Sequence, residues 1–174
     1  MARGQNASRD YGKDFEDNLR LYFTEFLKKN SCQGICYKMH DDGAGYQPID
    51  LLIDSRELGY IGVECKSTYE VEDLELWKLN RSGEFGIGQI ERQHAFLRNA
   101  GRYGIMAIEI RKSGDVWFLP HQHIFNKIER QDTHLSLREI KDIGLRQSKN
   151  LDVSSFSNFV REWCETGAYY ERIY

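Results

Sequence analysis

The sequence predicts an α/β fold, with a central mixed β-sheet flanked by helices. Three observations lead there. Apolar residues recur at helical spacing near the start of the chain and again in its middle. β-rich runs punctuated by turn residues lie on either side of that middle helix. The chain has 174 residues, 40% of them hydrophobic and 29% charged, which suits one compact domain rather than a disordered or multi-domain protein.

The elements follow in order. Residues 1–10 are polar, carry Arg3 and Arg9, and are expected to form a flexible basic arm. A single domain should fill 11–174, with a helical C-terminal region from about residue 120. Tyr11–Leu27 reads as a helix because Phe15, Leu19, Tyr22, Phe23 and Phe26 share one face. Ile35–His40 reads as a strand, and Asp41–Gln47, with Gly43 and Gly45, as a loop. Pro48–Asp54 and Tyr60–Ser67 are apolar runs joined by Ser55–Gly59, hence a hairpin. Thr68–Gly86 is irregular, with room for a short helix. Ile87–Ala100 is a second long helix ending at Gly101. Tyr103–Arg111 and Val116–Leu119 are strands around a turn at Lys112–Asp115. Short helices are expected near His123–Glu129 and at Leu137–Ile143, the latter capped by Ser136 and closed by Gly144. Ser154–Glu165 is a last amphipathic helix carrying Phe156, Phe159, Val160 and Trp163.

Composition excludes several function classes. No stretch approaches the roughly 18 apolar residues of a membrane span, and the N-terminus has no apolar signal core. Cys32, Cys36, Cys65 and Cys164 are therefore expected as free thiols in a cytoplasmic protein. The Cys32–Cys36 spacing lacks the second Cys/His pair that a zinc site needs. Net charge is −3, yet its distribution is uneven. Residues 41–86 hold 11 acidic and 4 basic side chains, leaving 16 acidic and 20 basic elsewhere. A basic shell around an acidic centre can grip phosphates while the centre binds a cation. A solvated acidic face formed by Glu70, Glu72, Asp73 and Glu75 accounts for part of that centre, but not for Asp50 or Glu64.

Those two residues carry the chemistry. In a strand, residues i and i+2 share a face, so Glu64 and Lys66 point one way and Cys65 the other. A hairpin centred on Glu57 sets Asp50 opposite Glu64, with Cβ atoms about 4.5–5.5 Å apart. Two carboxylates that close repel, and a divalent cation relieves the repulsion. Oxygen ligands suit Mg²⁺ or Mn²⁺. Lys66 beside them can orient a water, take its proton, or stabilise charge on a phosphate. The plain alternative is a surface ion pair on a half-buried strand. The flanks oppose it: Asp50 lies between Ile49 and Leu51-Leu52-Ile53, a poor place for an unpartnered charge. Glu16 lies on the flank of the first helix's apolar stripe and can reach the sheet. Gln89 and Gln93 fall in the middle of the apolar face of the second long helix, where buried amides need partners.

Gly12-Lys13-x-Phe15-Glu16, then Gln47-Pro48-Ile49-Asp50, Glu64-Cys65-Lys66 and a glutamine-bearing helix together resemble the PD-(D/E)xK nuclease superfamily. More narrowly, the pattern is similar to Holliday junction resolvases of the archaeal and RecU-like type. The likeness runs from Gly12 to Leu119, with Ile49 intervening between the Pro and Asp of the motif. It implies a restriction-endonuclease-like fold and a site made of Glu16, Asp50, Glu64 and Lys66, with Asp50, Glu64 and Glu16 on the metal. It further implies Mg²⁺-dependent hydrolysis of DNA by a homodimer at four-way junctions, in a prokaryote or its virus. Two other readings stay open: a related nuclease acting on ordinary duplex, and a non-catalytic DNA-binding relative. Candidate DNA contacts are Arg3, Arg9, Lys13, Lys38, Arg92 and Arg98, with Gln89 and Gln93 reaching the site or a phosphate. His40 and His121-x-His123 read as structural. Leu74, Leu76, Trp77 and Leu79 read as local core, with a lid or dimer patch as the alternative. Tyr169, Tyr170 and Tyr174 suit packing or dimerisation.

Overall fold

The computed structural model describes residues 5–39, 47–80 and 88–164. Helix α1 (Gln5–Lys29) leads into strands β1 (Gly34–Lys38), β2 (Leu51–Ser55) and β3 (Gly59–Thr68). A short strand β4 (Asp73–Glu75) and helix α2 (Leu76–Leu79) precede α3 (Gln89–Asn99). Strands β5 (Tyr103–Ile110) and β6 (Asp115–Pro120) follow, then α4 (His121–Glu129), β7 (His134–Ser136), α5 (Leu137–Ile143), β8 (Leu145–Arg146) and α6 (Val153–Trp163).

Six strands form one sheet in the order β1-β2-β3-β5-β6-β8. Neighbours are antiparallel except β3 and β5, which run parallel. A parallel pair needs a long crossover, and the segment carrying α3 supplies it. The predicted mixed sheet flanked by helices is therefore the fold observed. Strands β4 and β7 form a separate two-stranded sheet.

Side-chain alternation sorts the strands onto two cores. On one face Ile61, Val63, Cys65, Ile105, Ala107 and Phe118 meet α1 and α6. Phe23, Phe118 and Phe156 lie with ring centroids 5.4 to 5.8 Å apart at its heart. On the other face Met106, Ile108, Ile110 and Leu119 pack with Ile90, Ile124 and Ile140 of α3, α4 and α5. Leu76 is buried in this second core and Leu74 packs against it, as the local-core reading of that stretch expects, while Trp77 is exposed.

Among the differences from the sequence reading, two change an element. Helix α1 begins at Gln5, so Gln5–Asp10 is helix rather than flexible arm. Extending an anchored helix adds a hydrogen bond per residue without a new nucleation step, and such turns need no apolar stripe. Arg3 lies outside the described residues, as does the side chain of Arg9. So do His40, most of the glycine-bearing loop before Gln47, and the C-terminal tyrosines. The second difference is the β4–β7 pair, which stands where the sequence predicts irregular chain.

The hairpin register matches its expectation. Leu51 pairs with Val63 and Ile53 with Ile61, which centres the hairpin on Glu57. Gly59 adopts φ +80°, a conformation that favours glycine, and starts the return strand. One rung beyond Leu51–Val63 come Asp50 and Glu64.

Candidate active site

Asp50 sits just before β2, where the ladder continues through its carbonyl, which accepts from the Met39 N–H at 2.9 Å. Its carboxylate folds back over β3. Oδ2 accepts from the Cys65 backbone N–H at 2.7 Å, and Oδ1 accepts from Gln47 Nε2 at 3.1 Å. Burial first, and then the charge of Glu64, push the Asp50 carboxyl well above its usual range; the Cys65 N–H and Lys66 pull the other way. Two acidic groups are thus forced together at the end of the hairpin.

Glu64 is 1% exposed and accepts from three donors. Gln89 Nε2 donates to Oε1 at 2.9 Å, and Gln93 Nε2 donates to Oε2 at 2.5 Å. Lys66 Nζ lies 2.6 Å from Oε1. Burial pulls the Lys66 ammonium down, but Glu64, aided by Asp50, outweighs it and leaves the group above its usual value. Lys66 is therefore a cation at neutral pH. Each glutamine is one helical turn from the other on α3, so both amides reach the same carboxylate. They are committed to Glu64, and Gln93, itself 1% exposed, has no route to a phosphate. The expectation that it contacts DNA is corrected by its burial.

Glu16 reaches the sheet, as its place on α1 suggests, but not the Asp50–Glu64 pair. Its Oε2 lies 2.6 Å from Lys38 Nζ, and Lys38 also reaches Asp17 Oδ1 at 3.4 Å. The cause is topological. Helix α1 packs on the Cys65 face of β3, whereas Glu64 points to the α3 face. Among the described residues, no group of three or more His, Cys, Asp or Glu side chains converges as a metal site. Lys38 is engaged with two acids rather than free for DNA, while Lys13 is exposed one turn before Glu16.

The donor chemistry of the pair fits a hard divalent cation. A carboxylate offers about four acceptor sites. Protein donors use two on Asp50 and three on Glu64, so each keeps acceptor capacity for a metal. The set is all oxygen and doubly anionic, which favours Mg²⁺ or Mn²⁺ over zinc.

His121 is a site-supporting residue that sequence reasoning reads only as a helix start. It opens α4 fully buried, with Nε2 3.3 Å from Gln93 Oε1. The His121-x-His123 pattern after Pro120 gives no signal of this, because the contact joins α3 to α4 and the two helices are separated in the chain by β5 and β6.

Comparison with known proteins adds to this geometry. No family model matches the chain, and no curated protein matches it. Solved structures do match. One is Hjc, a Holliday junction resolvase from the archaeal hyperthermophile Archaeoglobus fulgidus. It superposes with a TM-score of 0.55 at 18% identity, over 84% of this chain and 99% of that one. At that identity the likeness is one of fold: the mixed sheet that sets Asp50 beside Glu64 is similar in architecture to the sheet of an archaeal junction resolvase.

Proposed function

We propose that this chain is a Mg²⁺-dependent endodeoxyribonuclease that resolves four-way DNA junctions, acting as a homodimer that makes paired symmetric nicks. The observation that carries this reading is the Asp50–Glu64 pair at the end of the hairpin, with the Lys66 ammonium 2.6 Å from Glu64. The fold likeness to a protein described as a Holliday junction resolvase supports the choice of substrate.

Asp50 and Glu64 would hold the metal, with Mn²⁺ as a substitute. When bound, that ion supplies positive charge beside the phosphate and lowers the pKa of a water ligand. The protein's own groups do the rest. Gln89 and Gln93 fix both oxygens of Glu64, so the carboxylate cannot rotate away. The Cys65 N–H and Gln47 do the same for Asp50. Lys66, held as a cation by Glu64, stabilises negative charge that develops on the phosphoryl oxygens; in this state it has no lone pair with which to take a proton. Glu16 takes an outer part. Its carboxylate holds the Lys38 ammonium 2.6 Å away on the α1 side of the sheet. Lys13 grips the DNA backbone nearby.

The test is cleavage of a labelled four-way junction, a matching duplex and a single strand, with and without Mg²⁺, by the wild type and Asp50→Asn. Paired nicks confined to the junction, absent without Mg²⁺ and in the variant, are expected. Duplex cut at least as fast would assign the chain to the duplex-cleaving nucleases. Junction binding without cleavage would assign it to the non-catalytic relatives.

A further inference from the structure

Behind Glu64 the polar chain continues into the core. Gln93 is 1% exposed and His121 fully buried. The Gln93 amide has two unlike ends. Its Nε2 donates to Glu64 Oε2 at 2.5 Å, and its Oε1 faces His121 Nε2 at 3.3 Å. Rotated by half a turn, the amide would aim its carbonyl oxygen at the carboxylate, acceptor against acceptor. A donor facing Oε1 adds to that preference, whereas a bare nitrogen in the same place would accept from the reversed amide and oppose it.

A neutral imidazole has one N–H and one bare nitrogen. To donate to Gln93, His121 must carry its proton on Nε2 and leave Nδ1 bare. His121 Nδ1 is buried with no hydrogen-bond partner among the described residues, and an unsatisfied acceptor is better tolerated in a core than an orphaned N–H. The neutral form is secured by burial first and by neighbouring His94 second, which together lower the His121 pKa to about 3. His94 stacks on Phe125 at 3.8 Å between centroids, and its ring lies 6.3 Å from that of His121.

We propose that His121 is a positioning residue for the nuclease site: its Nε2–H locks the Gln93 amide so that the NH₂ end faces Glu64 and fixes that carboxylate. It touches neither metal nor DNA. The role rests on the nuclease reading, but the lock itself is a property of the folded chain.

The experiment compares His121→Leu, close in volume but without a donor, with His121→Gln, which can present an N–H to Gln93. Single-turnover cleavage should fall about tenfold to a hundredfold in His121→Leu, the usual span when the support of a metal ligand is removed. Junction affinity measured in EDTA should not change. His121→Gln should recover most of the rate. In a Gln93→Leu background, His121→Leu should add little, because both act through one amide. Equal losses in the Leu and Gln variants with both folded, or losses that add to Gln93→Leu, would overturn the proposal. Nitrogen NMR of the His121 ring at neutral pH reads the lock independently of cleavage. The Nε2–H tautomer is expected, and the Nδ1–H tautomer would overturn the proposal even in an active enzyme. A wild type that cuts no DNA with Mg²⁺ or Mn²⁺ would overturn the nuclease reading, while an Nε2–H signal would still sustain the lock on Glu64.

Discussion

Asp50 is the residue at which the site and the stability of the fold oppose each other. Its carboxyl is raised by burial and by Glu64, whereas in the unfolded chain it titrates near the ordinary value of about 3.9. Between those two values the folded chain holds a proton that the unfolded chain has released. Stability therefore falls as pH rises through that window and stays low above it. Asp50→Asn keeps a side-chain oxygen for the Cys65 N–H but removes the charge. In EDTA at pH 8 the variant should melt several degrees above the wild type, since about 1 kcal/mol moves the midpoint of a chain this size by roughly 2–4 °C. The gap should shrink toward pH 5. Mg²⁺ should raise the wild-type midpoint at pH 8 and leave the variant where it was. Thermal melts at the two pH values check all three, and a wild type at least as stable as Asp50→Asn in EDTA at pH 8 would contradict the opposition between site and fold. That Asp50 and Glu64 meet was legible in the sequence, because strand alternation and a turn centre suffice to pair them. That Glu16 does not join them was not, because helix spacing gives the flank on which a side chain lies but not the face of the sheet on which the helix packs.

At the scale of elements, α3 matters most, because it delivers both glutamines. Its first turn is held from outside. Asn80 Oδ1 accepts from the Ile90 N–H at 2.9 Å, and the Glu91 side chain accepts from the Gly88 N–H. Gly88 has no side chain for a reason: a Cβ there would collide with Asn80 Oδ1. Asn80→Ala should cost about 1 kcal/mol, as losing a helix cap does. It should also slow cleavage, since Gln89 is the first residue of the helix. Gly88→Ala should be about as harmful by expelling the Asn80 side chain, and the double variant should be less harmful than the sum of the two. Urea midpoints with single-turnover rates check this, and full additivity would mean that the two residues do not share the cap. The sequence predicts α3 within two residues of its observed start, and the Leu137–Ile143 helix as observed, because apolar period and caps are local signals. It does not announce β4–β7, a three-residue pairing of segments far apart in the chain, or the Asn80 cap, whose acceptor stands ten residues before the N–H it binds. Both are tertiary contacts that leave no local pattern.

For the whole molecule, the proposed function makes charge placement decide how DNA would approach a protein of net charge −3. Glu16, midway along helix α1, lies by Lys38 at the site end, and the last turn of the helix leads into the segment before Gly34. Lys13 and Lys28 are both exposed on it, about 22 Å apart at 1.5 Å per residue. That separation is about twice the Debye length of roughly 10 Å at 0.1 M salt, so the two lysines act as independent probes of the two ends. If the junction lies across the Asp50–Glu64 end, Lys13→Gln should weaken binding by a similar factor for junctions of different arm sequence. It should also reduce the slope of log K against log salt by about 1, as expected when one phosphate is no longer neutralised by the protein. Lys28→Gln removes the same charge, leaves net charge equal to that of Lys13→Gln, and should change neither quantity. Equal effects of the two variants would mean that the chain attracts DNA through its overall field. An effect of Lys28→Gln alone would place the DNA at the other end of the sheet, away from Asp50, and would separate binding from the chemistry proposed there.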